Sequence, residues 1–437
     1  MEELIQTVQD TPPLRVRGKV TNIIGLIIEG YCPEASVGSM CDIVPLQGGR
    51  SVSAEVVGFR DSKALLMPLG ELRGLGPGSL IRVRHSRAGI QVGEGMLGRV
   101  FDPLGQPIDG EGSPVLSEEM PLYALPPGPM EREQISAPMD LGIRSINATL
   151  TTGLGQRMAI MAGSGVGKST LLGMMARDTQ ADVNVIALIG ERGREVREFI
   201  EQDLGQEGLE RSVLVVATSD QSPLLRMRGV FAATSIAEYF CNQGKNVLML
   251  MDSVTRYAMA MREIGLAVGE PPTSKGFPPS VFAQMPKFLE RAGNYKGRGS
   301  ITGLYTVLVE GDDMNEPVTD TVRSILDGHI VLSRQLASKN HYPPIDVLQS
   351  SSRLMNELVD EEHQRLSGRI KDVLATYQES EDLINIGAYS SGNNRRIDYA
   401  LKHIDSVNAF LRQGKEEKVP LDQAVREMKA VFESDGG

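Results

Sequence analysis

Between the apolar run "RMAIMA" (157–162) and the helix-patterned "STLLGMMARD" (169–178) lies the loop "AGSGVGKST", with glycine at 163, 165 and 167. Few local arrangements restrict a fold more. Closely spaced glycines let the backbone curl so that successive N–H groups converge on an anion. The following helix aims its unpaired N-terminal N–H groups at the same point. Lys168 adds a cation suited to β- and γ-phosphates, and Ser169 offers a hydroxyl to Mg²⁺. Gly163, Ser164, Gly165, Val166, Gly167, Lys168, Ser169 and Thr170 are therefore expected to hold a nucleotide polyphosphate, in a P-loop pattern with Ala162 at its first glycine position.

A loop of that kind belongs at the carboxyl edge of a parallel sheet. The chain supplies one: "VNVIALIG", "SVLVVAT", "NVLMLMD" and "ITGLYTVLVE" are further apolar β-type runs, most of them separated by helical segments. "NVLMLMD" ends in Asp252, which would reach the same edge as the second Mg²⁺ carboxylate. "LIGERGREVREF" puts Glu191 after the strand next in sequence, as the candidate to polarise an attacking water, with Arg192 beside it.

At 437 residues the chain exceeds one ordinary core. Residues 14–85 carry short β-branched runs with glycine-rich breaks, the pattern of a small barrel. A Gly/Pro-dense passage from "GRVFDPLGQPIDG" to "PPGPMERE" reads as a connector, since its prolines bar regular helix. After about 357 only charged, helix-period segments remain. The expected class is α/β: a RecA-like P-loop NTPase core over 89–356, an N-terminal β-barrel over 1–88 and a helical domain over 357–437.

A net charge of −11, no tryptophan and 5% aromatics argue against nucleic acid as the partner. No apolar run reaches 18 residues and "MEELIQTVQDTPP" is polar, so neither a spanning helix nor a secretory signal is expected. Three cysteines without metal spacing (Cys32, Cys41 and Cys241) fit a reduced, cytoplasmic setting.

The ordered set "GRVFDPLGQPIDG", "AGSGVGKST", "GERGREVREF", "DSVTRYAMAMREIGLAVGEPP", "KGFPPSVFA", "ERAGN", "EGDDMNEP", "RSILDGHIVLSR" and "HYPPIDVLQSSSR" resembles the rotary ATP synthase catalytic-subunit family, in its flagellar and type III secretion export branch. The resemblance implies that Glu191 acts on the water, that Arg192 and Arg256 line the phosphates, and that Arg353 serves the γ-phosphate of a neighbouring subunit. It implies Tyr342 as the adenine-stacking aromatic, with Tyr389 on the base's other face. A homohexamer using ATP and Mg²⁺ follows, peripherally bound to an inner-membrane export apparatus. Its implied partners are a stator-like protein at the N-terminus, a central coiled-coil stalk meeting an acidic loop at Asp312 and Asp313, export-gate membrane proteins, and export chaperones with their substrates. Flagellar use is the favoured reading. The alternatives are an injectisome ATPase, a proton- or sodium-driven synthase subunit, and an RNA-remodelling motor of the same core, the last disfavoured by charge.

Overall fold

Six short strands near the N-terminus close on themselves. The computed structural model describes residues 17–85, 88–309, 311 and 313–433; the polar leader discussed above and Asp312 lie outside them. Strands β1 (Gly18–Ile24), β2 (Ile27–Tyr31), β3 (Met40–Val44), β4 (Val52–Arg60), β5 (Lys63–Pro68) and β6 (Leu80–His85) form a closed barrel in the order β1-β2-β5-β4-β3-β6. The β-branched stretch that begins it is a hairpin rather than one strand, because Gly25 turns at φ 56 between Ile24 and Ile27. Val20, Ile28, Ile43, Val56, Leu66 and Ile81 fill the interior. Gly30 is required there: a Cβ would meet Ile81 Cδ1 at 2.4 Å. Closure leaves no unpaired strand edge to be covered. Residues 222–225 and 260–278 cluster with the barrel as one compact unit, and residues 90–221, 226–259 and 279–437 form a second.

The second unit is built on a sheet with the order β19-β18-β12-β17-β15-β13-β14-β8. In chain order its small and large strands are β7 (Gly89–Val92), β8 (Arg99–Phe101), β9 (Glu118–Pro121), β10 (Pro138–Met139), β11 (Thr152–Gly153), β12 (Arg157–Ala162), β13 (Val183–Glu191), β14 (Ser212–Thr218), β15 (Asn246–Asp252), β16 (Gly293–Asn294), β17 (Ser300–Leu308), β18 (Gly328–Leu332) and β19 (Ile345–Ser352). The neighbours β8, β14, β13, β15, β17, β12 and β18 all run parallel. β19 and the two-residue β16 are antiparallel additions. The five strands read from apolar runs are the five central ones, buried almost throughout, as a sheet covered on both faces requires.

The Gly/Pro-dense passage is more than a connector. It contributes β8 to the sheet edge, where Arg99 is held by Asp109 (Nε to Oδ2, 2.7 Å), and pairs β7 with β9. Its other regular piece is a single 3-10 turn at Pro129–Glu131, and a similar turn at Glu94–Met96 precedes it.

The C-terminal helices are Glu361–Asn385, Arg395–Leu411 and Leu421–Ala430. Asp360 and Asn394 cap the first two by accepting from the N–H of His363 and Arg396. Their inward residues, among them Ile370, Val373, Val407, Phe410 and Met428, share one hydrophobic cluster with Ile160, Leu172 and Leu188 of the P-loop half. Arg144 ties the two together: it contacts Glu417, donates to Glu427 Oε2 (2.6 Å) and to the carbonyl of Arg412 (2.5 Å). Among the described residues no helix is long and apolar enough to cross a membrane.

Candidate active site

β12 runs into the glycine loop at Ala162. Gly165 (φ 77) and Gly167 (φ 90) are left-handed, which lets the loop fold back before the helix Lys168–Asp178 begins. Val166 is buried as the loop's apolar anchor, while Ser164, Gly165 and Ser169 face solvent.

β15 lies beside β13 with Asp252 opposite Leu188, so Asp252 and Glu191 emerge at the same carboxyl edge. Lys168 Nζ contacts Asp252 Oδ1 and lies 3.8 Å from Glu191 Oε1. Thr306, fully buried on β17, donates to the same Asp252 oxygen at 2.7 Å. Burial first, and then the charge of Asp252, push the Glu191 carboxyl up to about 7, with Lys168 acting in the opposite direction. One cation and two carboxylates thus sit together, and their environments separate them: Asp252 is held by donors, Glu191 is poised to change protonation near neutrality.

Gly190 brings Arg256 in. It sits at φ 73, and a Cβ there would meet Arg256 Cβ at 2.8 Å. Only glycine allows the arginine stem to lie against the backbone next to Glu191. Arg256 Nε is buried with no hydrogen-bond partner, an unspent donor beside the cluster. Tyr342 approaches from β19's start: its Cε1 lies 3.8 Å from the Cβ position of Gly167, and the ring is 46% exposed. An exposed aromatic face against the phosphate loop suits a stacked base.

Three expected residues make their contacts outside this cluster. Arg192 caps the helix Gly193–Glu198, points to solvent with 76% of its side chain exposed, and faces Glu195 at 3.6 Å. The Tyr389 hydroxyl lies 2.9 Å from Asp398 Oδ1 and accepts from the Asn394 N–H, so it belongs to the start of the second C-terminal helix. Arg353 follows Ser352, which pairs with Gly328 at the start of β18, whereas Leu332 at β18's end pairs with Ala162. At ~3.3 Å per residue, the length of β18 and more separates Arg353 from its own P-loop. It is exposed, and its guanidinium donates to the Arg323 carbonyl (3.2 Å). In the acidic loop, Asp313 accepts from the Asn315 N–H at 3.0 Å, a local turn.

Thr306 and Gly190 escaped the sequence reading. A hydroxyl inside the apolar run "ITGLYTVLVE" was the available signal for the first.

Residues 142–352 match the family described as "ATP synthase alpha/beta family, nucleotide-binding domain", and residues 359–430 match "T3SS EscN ATPase C-terminal domain". The flagellum-specific ATP synthase of Bacillus subtilis is 50% identical over 98% of this chain and 98% of its own. The assembled ATPase EscN of the enteropathogenic E. coli type III secretion system superposes with a TM-score of 0.89 at 46% identity, covering 95% of this chain and 99% of that one. The same ATPase solved in complex with its central stalk EscO gives 0.87 at 45%, with the same coverage.

Proposed function

The chain belongs to the ATP synthase alpha/beta family, in its flagellum-specific and type III secretion branch, and on that premise we propose that it hydrolyses ATP within a homohexameric ring. The ring energises export of unfolded proteins through a flagellar type III apparatus. One observation carries the reading: the catalytic set is divided between two edges of the sheet. Lys168, Asp252 and Glu191 converge at one edge, while Arg353 stands at the other, where it serves a second copy's nucleotide.

In turnover the loop N–H groups and Lys168 bind the phosphates, with Lys168 exchanging its carboxylate partners for them. Mg²⁺ fits the donors present, an exposed hydroxyl at Ser169 and a buried carboxylate at Asp252, both hard oxygens. When bound it neutralises charge building on the transferred phosphoryl group. Glu191, once ionised, orients water and takes its proton. Arg256 has a free donor close to that carboxylate. Arg192, exposed at a helix start, would exchange Glu195 for the phosphates.

The flagellar assignment is favoured over the injectisome by the 50% identity to the Bacillus subtilis flagellar protein across 98% of the chain. The implied surroundings are a stator-like protein at the N-terminus, a central stalk against the Asp313 loop, export-gate proteins, chaperones and substrates, in the cytoplasm at the inner membrane. Specific ATPase rate against protein concentration tests the ring: the rate per chain should climb as assembly proceeds. Constant specific activity down to nanomolar, with monomers by sedimentation, overturns it. Restored motility in a flagellar-ATPase deletion strain supports the export role, and failure by a well-expressed, active chain counts against it.

A further inference from the structure

Asp252 is 3% exposed, and both of its side-chain contacts fall on one oxygen. Oδ1 takes Lys168 Nζ and the Thr306 hydroxyl (2.7 Å); among the described residues Oδ2 has no hydrogen-bond partner. Met251 on β15 pairs with Tyr305 on β17, so Thr306 follows directly beside Asp252 in the parallel register. The two oxygens are therefore unequal: one is tied to Lys168 and Thr306, and the other has no partner among the described residues.

Lys168 cannot hold this arrangement through a catalytic cycle, because its ammonium is needed by the phosphates. The threonine hydroxyl has no competing task. It is fully buried, and its acceptor is the carboxylate. We infer that Thr306 is a positioning residue, fixing the rotation of the Asp252 carboxylate so that Oδ2 faces the water shell of the nucleotide-bound divalent cation after Lys168 has left. The inference rests on the reading of Asp252 as the metal-shell acid. Outer partners of a metal-binding carboxylate alter metal affinity ~10–100-fold when removed.

The test uses the full chain and Mn²⁺ as the probe. Free Mn²⁺ is followed by electron paramagnetic resonance during titration with ADP present, and ADP affinity is measured separately in EDTA. Thr306→Val keeps the shape and deletes the donor. It should weaken Mn²⁺ binding about tenfold and leave metal-free ADP affinity unchanged; Thr306→Ser should restore Mn²⁺ binding. Should the valine variant be insoluble, Thr306→Ala is judged by the same criterion. Asp252→Asn separates the two ideas. If it weakens Mn²⁺ binding and T306V does not, Thr306 is only a core hydroxyl and the inference falls alone. If D252N is also unchanged, the metal-shell reading fails and takes the inference with it. An equal loss of metal-free ADP affinity in T306V marks a collapsed loop and also overturns the positioning role.

Discussion

Tyr342 and Arg353 bracket a single strand: Tyr342 precedes β19 and lies against Gly167 of the phosphate loop, and Arg353 follows β19 at the sheet's far edge. The hairpin that offers an aromatic face to one nucleotide therefore carries a guanidinium away from it. On the proposed reading, one element would thus link two pockets on neighbouring copies.

Arg353→Ala should leave ATP affinity within a few-fold and lower turnover by about 10³–10⁵, the range for removal of an arginine finger. Equilibrium binding of a fluorescent nucleotide, set beside single-turnover hydrolysis, separates the two effects. Mixing R353A with Lys168→Ala chains should regain activity, because a mixed interface joins an intact P-loop to an intact finger. Near-normal turnover by R353A alone at saturating ATP would falsify the inter-subunit role.

Glu191→Gln should reduce turnover by about 10²–10⁴ while still binding ATP. Wild-type turnover should rise as pH passes upward through about 7, where the buried carboxyl ionises. Stability runs the other way. Burial and Asp252 raise the folded-state value above that of an unfolded glutamate, so the folded form gains from holding the proton. That gain is complete below the ordinary glutamate range and is lost as pH climbs through about 7. In nucleotide-free protein the melting temperature of E191Q relative to wild type should thus increase between pH 6 and 8, and a pH-independent difference would contradict the shift.

Tyr342→Ala should weaken nucleotide binding by about fivefold, since a stacked ring contributes ~1 kcal/mol, and Tyr342→Phe should bind almost normally. Isothermal titration with ADP and with inorganic pyrophosphate gives the check: the alanine change should affect only the ligand that carries a base.

Arg144→Met should loosen the C-terminal helices without touching the pocket. It strips Glu417 and Glu427 of their shared cation and leaves the Arg412 carbonyl without this donor, for a cost of about 2–3 kcal/mol. Hydrogen exchange should quicken across 395–430 more than across β12 and β13. Uniform exchange changes throughout the sheet would contradict a local tie.

The strands legible in the sequence were those buried on both faces, because continuous apolar runs leave little ambiguity. β18 and β19 were hidden: "GHIVL" is short, and "IDVLQSSS" sits at an edge where half its residues meet solvent and the code becomes polar. β8 hid among prolines, kept in place by its parallel partner β14 rather than by its own pattern. The convergence of Lys168, Asp252 and Glu191 was readable because all three sit where strands end at the sheet's carboxyl edge. Arg353 gained meaning only through register, since an arginine after a serine run announces nothing until its distance from the loop is known. The tie of Tyr389 to Asp398 was not legible, because an aromatic in a loose loop gives no sign of the aspartate that engages it.

The pairing of Lys168 with Asp252 also bears on how products leave. An empty pocket with a bare ammonium would cling to any anion, spent ones included. On the proposed reading the lysine has a resident counter-ion to return to, so each departing phosphate would be replaced by an internal one, easing release.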